Sequence, residues 1–113
     1  MKLHDPKLDV VNLAYIKECC RFILEHIEGM VFEDFKQSPA SQAAIHHWLE
    51  TMGDASKQLS EGIKGRYDIN WKEMGRQRDM LAHHYRKATA ERLWDTAAND
   101  IPGVMEKLLQ GED

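Results

Sequence analysis

Asn70-Trp71-Lys72-Glu73-Met74-Gly75-Arg76-Gln77-Arg78-Asp79-Met80-Leu81-Ala82-His83-His84-Tyr85 is the stretch on which the fold turns. It opens as helices open. Asn70 is a good N-cap residue, and Glu73, three positions on, completes a capping-box pattern, which predicts a helix over 71–84. Met74, Arg78, Leu81 and Tyr85 follow at spacings of four, three and four, so a helix places them on one face. Arg78 thus falls on an apolar stripe, where a guanidinium rarely sits without a partner. Asp79 and His83 share a neighbouring face, and a carboxylate one turn from an imidazole can orient it and favour its charged form. From spacing alone, Arg78 and Asp79 read first as a structural ion pair at a helix interface, and His83-His84 as two ordinary histidines at a helix end. A second doublet, His46-His47, shows that paired histidines here need not mark a site. Adjacent histidines diverge on a helix and no H-E-x-x-H spacing is present, so no metal site is expected.

Outward from this segment the pattern stays helical. A first helix is predicted over 8–29, with Leu13, Ile16, Cys20, Ile23, Leu24 and Ile27 three or four apart and Gly29 as its breaker. Met30-Val31-Phe32 carries the apolar surface into a short connecting turn. Ser38-Pro39 marks the next start, since proline suits a first helical turn. A second long helix is predicted over 40–64, with Ile45, Trp48, Leu49, Met52, Ala55, Leu59 and Ile63 as its stripe. Gly53 lies inside it at a cost of about 1 kcal/mol relative to alanine, which predicts close approach of another backbone there. Residues 65–70 read as a loop. Thr89 caps a last helix over 90–109, with Trp94, Ala97, Ile101, Met105 and Leu108 inward and a kink expected at Pro102. No run alternates at the period of a strand. The fold class is therefore all-α, a four- to five-helix bundle, and stripes this wide on a short chain suggest a homodimer.

Composition sets the outer limits. The 113 residues suffice for one domain, taken as 1–113, and the 42% hydrophobic and 30% charged content is that of a globular chain. No apolar run approaches the ~20 residues that span a bilayer, and the N-terminus lacks the apolar core of a signal peptide. A cytoplasmic location and no membrane partner are the expectations. Cys19 and Cys20 are adjacent and point about 100° apart on a helix, so they are expected as reduced thiols, at least one of them partly buried. The net charge is −4. A scaffold that holds nucleic acid by charge alone is usually basic; any such contact here should be local and brief, as in an enzyme or a regulated partner.

The segment Gly75–Tyr85 resembles the R-x4-H-x-Y signature of HepT-like ribonuclease toxins of the HEPN type. The similarity extends along residues 10–109. Phe32-Glu33-Asp34-Phe35 resembles the family's acidic-aromatic connector, and Met52-Gly53-Asp54-Ala55 its I-G-E-A stretch, with Asp54 in place of the usual glutamate. Ile69-Asn70-Trp71 resembles the entry to its motif helix, and Leu93-Trp94 with Asn99-Asp100-Ile101-Pro102 its last helix. Thr89 stands where an aspartate often opens that helix. The resemblance implies a metal-independent endoribonuclease with no cofactor, homodimeric, the toxin of a type II toxin–antitoxin pair whose antitoxin is a minimal nucleotidyltransferase. Carried over by position, Arg78 and His83 become the catalytic pair, Asp79 a supporting polar residue, and Tyr85 the site at which that partner can adenylylate the toxin. Arg86 and Lys87 stand where many relatives carry an aromatic residue or glycine. They suit contact with RNA phosphate or with a nucleotide triphosphate, against the plainer reading of a solvated helix end.

The implied chemistry suits these side chains. The ribose 2′-hydroxyl can attack the adjacent phosphorus if a group near neutral pKa moves a proton, as histidine does. An arginine steadies the charge growing on the phosphoryl oxygens. Five residues on a regular helix amount to about 140° of rotation, so Arg78 and His83 of one chain diverge. Either the helix distorts near its end, or two chains build a composite site across a dimer axis, the favoured arrangement. The alternative function is a non-catalytic helical partner subunit of a nucleotidyltransferase. A four-helix metal protein is disfavoured because the helices carry no Glu-x-x-His pair.

Overall fold

A computed structural model describes residues 5–111, and every regular element among them is helical. Helix α1 spans Pro6–Ile27, opened by Asp5, whose carboxylate accepts the Lys7 N–H at 2.9 Å. It ends before Gly29, which takes φ +79°, the left-handed conformation that favours glycine after a helix. The expected connecting turn at 30–32 runs into a short helix, α2 (Phe32–Lys36), where Asp34 accepts the Val31 N–H at 3.1 Å and Phe35 is fully buried. Helix α3 (Pro39–Lys57) starts as expected: Ser38 Oγ accepts the Ser41 N–H at 3.1 Å, and Pro39 follows in the first turn.

The expected helix over 40–64 is two helices. Gln58 and Leu59 donate to the carbonyls of Ala55 and Ser56, a tightened turn that closes α3, and α4 restarts over Glu61–Lys64. The cause lies outside the segment. Asp9 of α1 accepts both the Ser60 N–H at 2.9 Å and its hydroxyl at 2.7 Å, while Ser60 Oγ caps α4 through the Ile63 N–H. Apolar periodicity does not register a polar contact from another helix.

Helix α5 spans Trp71–His83. Asn70 Oδ1 accepts the Glu73 N–H at 3.0 Å; the Glu73 carboxylate instead lies 3.6 Å from Arg76, one turn on. The helix stops one residue short of the expected 84. His84 leaves the helical region (φ −133°, ψ 49°), and residues Tyr85–Lys87 form a separate 3₁₀ turn. His46 of α3 meets this end of the helix: its Nε2 lies 3.1 Å from the Leu81 carbonyl, the group that a continuing helix would offer to the Tyr85 N–H. The face shared by Met74, Arg78 and Leu81 therefore does not extend to Tyr85, whose side chain lies outside the described residues.

Thr89 caps α6 (Ala90–Asp95) through the Arg92 N–H at 3.3 Å. The kink expected at Pro102 takes the form of a π turn over Thr96–Asp100, closed by an Ile101 N–H bond to the Thr96 carbonyl, before α7 (Ile101–Gln110). A proline inside an α-helix clashes with the carbonyl four residues back; the wider turn immediately ahead of Pro102 relieves that contact.

Helix α3 is the central element, with α1 packed on one side and α5 on the other, α7 along α1, and α2 against α3 and α6. Ile16 and Ile23 of α1, Ile45 and Met52 of α3, Leu81 of α5 and Leu108 of α7 are closed off from solvent, while Arg78, on the same side of α5, is not. Cys19 and Cys20 are both free and buried, and burial pushes the Cys20 thiol up to about 12. Leu8, Val10 and Val11 on α1 remain exposed. No helix of the described residues is long and apolar enough to cross a membrane.

The close approach expected at Gly53 is present. A Cβ at this position would run into Cβ of Arg78 and meet the Met74 carbonyl at 3.3 Å. Neither obstacle is the movable end of a side chain, so α3 and α5 would have to separate. We expect Gly53→Ala to lower stability by roughly 1–3 kcal/mol despite its better helix propensity, read as a fall in the urea midpoint with an unchanged slope. An equal or higher midpoint would show that the helices do not depend on this contact.

Candidate functional site

The glycine contact puts Arg78 directly against α3, where its neighbours decide its chemistry. Nε donates to Oδ1 of Asp54, the residue after Gly53, and Nη1 donates to Oδ1 of Asp79 at 3.2 Å. Lys57, one turn beyond Asp54 on α3, donates to that same Asp79 oxygen. Two acids and two bases alternate across the α3–α5 seam in the order Asp54, Arg78, Asp79, Lys57. The Arg78 side chain is 26% exposed and the two carboxylates about half exposed, at 48% and 53%. The guanidinium is thus held at the surface rather than sealed beneath it. Its second Nη1 proton and both Nη2 protons have no partner among the described residues, so a fixed arginine retains donors that can face an anion.

The electrostatics follow the contacts. Asp54 first, then Asp79, raises the Arg78 pKa above its ordinary value, so the group stays charged at any working pH. Lys57 first, then Arg78, holds the Asp79 carboxyl below the usual aspartate range. Asp79 is therefore engaged by two cations. The expected pairing of Asp79 with His83 does not form: among the described residues Asp79 turns to Arg78 and across to Lys57, and His83 receives no hydrogen bond. The nearer cations on the α3 side outcompete an imidazole one turn along.

His83 is the last residue of α5, and both it and His84 are exposed. His84 serves as the C-cap, its N–H bonded to the Met80 carbonyl at 2.8 Å. Because α5 stays α-helical from Arg78 to His83, no local distortion brings those two side chains onto one face. They remain about 140° apart and about 7.5 Å along the axis. Arg86 and Lys87 are both exposed in the 3₁₀ turn. Lys87 lines an open groove of about 590 Å³ with Arg76, His84 and Arg92, and Arg86 does not. No group of three or more His, Cys, Asp or Glu side chains placed to hold a metal occurs among the described residues.

Three residues at this site were not foreseen as parts of it. Asp54 was visible as a departure from glutamate but not as the partner of Arg78. The signal was there: an acid beside a glycine that marks a close helix approach, opposite an arginine stranded on an apolar stripe. Lys57 carried no sequence signal, because its contact depends on the angle at which α3 and α5 meet. His46 sat in a doublet read as ordinary. Its Nε2 faces two acceptors, the Leu81 carbonyl at 3.1 Å and the Glu50 carboxylate at 3.4 Å, so that nitrogen carries a proton.

Residues 16–110 match the HepT-like ribonuclease family. The chain is 34% identical, over 96% of its own length and 96% of the relative's, to a Methanocaldococcus jannaschii protein named "Putative RNase". It is 38% identical to a Thermococcus cleftensis protein named "Probable ribonuclease HepT", over 85% of this chain and 91% of that one. No solved structure matches it. An all-helical bundle with this motif at the end of its fifth helix defines a HEPN-type domain. The chain belongs to the HepT-like ribonuclease family.

The Asp79 contacts can be tested directly. Lys57→Met removes the larger of the two influences that depress the Asp79 carboxyl, so its NMR-titrated pKa should rise toward the ordinary ~3.9. An unchanged value would mean that Lys57 does not engage Asp79 in solution.

Proposed function

We propose that the chain is a single-domain, metal-independent endoribonuclease, the toxin of a type II toxin–antitoxin pair, working as a homodimer. The observation that carries this reading is the state of Arg78. It is clamped by Asp54 and Asp79, keeps N–H groups that have no partner among the described residues, and lies on the helix that ends in an exposed His83. A held guanidinium with donors to spare is suited to a phosphate, and an exposed imidazole at the end of the same helix is suited to proton transfer.

In this reading Arg78 holds the non-bridging oxygens of the scissile phosphate. The ribose 2′-oxygen attacks phosphorus and gives up its proton, the bond to the 5′-oxygen breaks, and that oxygen takes a proton. The products are a 2′,3′-cyclic phosphate and a 5′-hydroxyl. His83 takes the first proton or gives the second. Asp79 supports the arginine rather than the imidazole. The divergence of Arg78 and His83 on a regular helix favours a composite site, with Arg78 of one protomer facing His83 of its partner. Tyr85, in the turn just after His84, is the residue that a nucleotidyltransferase antitoxin would adenylylate to silence the site.

One observation favours the alternative of a non-catalytic partner subunit. Two carboxylates already engage Arg78, as a purely structural ion pair requires. The two readings part on activity: a partner subunit leaves RNA intact at high protein concentration and does not slow growth when expressed without a nucleotidyltransferase.

We expect purified protein to cleave RNA in EDTA, and Arg78→Ala and His83→Ala each to reduce the rate by at least about 100-fold with folding preserved. Cleavage persisting in both variants would remove this assignment. The composite arrangement makes a separate demand. Mixing the two inactive variants under conditions of subunit exchange should restore about a quarter of wild-type activity, since half the dimers become mixed and each mixed dimer holds one intact site. No recovery, with exchange confirmed, would place both residues in one chain's site.

A further inference from the structure

Arg78 and His83 leave unexplained a concentration of positive charge beside them. Residues 76–92 hold five lysines and arginines against two acids, a net +3 within a chain of net −4. Arg76, Lys87 and Arg92 converge with His84 on the open groove floored by Met80. They come from three separate segments, α5, the 3₁₀ turn and α6, so no helical repeat accounts for their meeting. Holding like charges together opposes folding unless something anionic is bound. Among the described residues neither Lys87 nor Arg92 has a carboxylate partner, and Arg76 has only Glu73 at 3.6 Å. Asp79 is the one acid among the described residues of the lining, and Arg78 and Lys57 already match its charge.

The groove also lies where a bound strand would need it. Arg76 and His83 are seven residues apart, two helical turns, which places them about 20° apart in rotation and about 10 Å apart along α5. The groove therefore follows the face of α5 that carries His83 and runs away from it. Among its described lining residues the one ring is the His84 imidazole, with no Phe, Tyr or Trp beside it. Three cations around a single imidazole contact the backbone more than the bases.

We propose that this groove holds the sugar–phosphate backbone of single-stranded RNA on one side of the cleaved phosphate, with Arg76, Lys87 and Arg92 contacting phosphate oxygens. The proposal rests on the ribonuclease reading of His83 and adds to it a binding track. Binding through it is tolerant of sequence and sensitive to salt.

The test uses the full chain carrying His83→Ala, so that RNA stays intact, and follows the anisotropy of a fluorescent single-stranded RNA across a salt series. Adding Arg76→Gln and Arg92→Gln should weaken binding by roughly five-fold per lost contact at 0.1 M salt and flatten the log–log salt slope by about 0.7 per contact. Lys7→Gln, which removes one positive charge, as each groove substitution does, but in the first turn of α1 and outside the groove, should change neither. If the groove variants bind RNA like Lys7→Gln while the unmutated chain still cleaves RNA, the groove assignment is overturned and the ribonuclease reading survives. If the unmutated chain neither binds nor cleaves RNA, both fall together. Groove variants that lose affinity for inorganic triphosphate but not for RNA would also overturn the proposal, by giving the groove to a nucleotide.

Discussion

The absence of a side chain at Gly53 is the constraint on which the rest of the molecule depends. It lets α3 and α5 touch so closely that the stem of Arg78 fills the space a Cβ would occupy. Only at that separation can Asp54, next in the chain, meet the guanidinium, and only then does Lys57, one turn further, reach Asp79. A residue that is unfavourable within a helix by about 1 kcal/mol thus sets the geometry of the charged seam. Exposed ion pairs of this kind contribute little stability each. Their main effect is on position: a long flexible side chain is confined to one orientation at the surface.

The seam and the end of α5 are controlled from the same element. α3 supplies Gly53, Asp54 and Lys57 against the middle of α5, and His46 against its last turn. The segment with the family signature contributes Arg78 and His83, but its neighbour determines how each is presented. The exposed His83 and the capping His84 close α5, and the open groove runs back along that helix past Met80 to Arg76.

Much of this was legible in the sequence, because most of the elements follow from apolar spacing and local capping. Ser38-Pro39, Asn70 and Thr89 open helices where their side chains predict, and Gly29 ends one. The need of Arg78 for a partner could be read from its place on an apolar stripe. What could not be read came from contacts between distant residues. The break at Gln58–Ser60 is made by Asp9, fifty-one positions from Ser60. Asp79 meets Lys57 rather than His83 because of the packing of two helices. The groove collects cations from three elements that no periodicity links. The kink at Pro102 was visible, but its form was not, since a wide turn and a bend relieve the same clash.

The bond from His46 to the Leu81 carbonyl has one more consequence. The boundary of α5 is not encoded in α5 alone, so residues 46 and 81–85 form one thermodynamic unit although they lie far apart in the chain. Changes at the two places would not add independently, because each alters what the other has to hold. The His46 bond uses one of the two lone pairs of the Leu81 carbonyl, so it ties the last turn of α5 to α3 without closing that oxygen to a backbone N–H. A single imidazole on the central helix thereby anchors the turn from which the last part of the signature leaves the bundle.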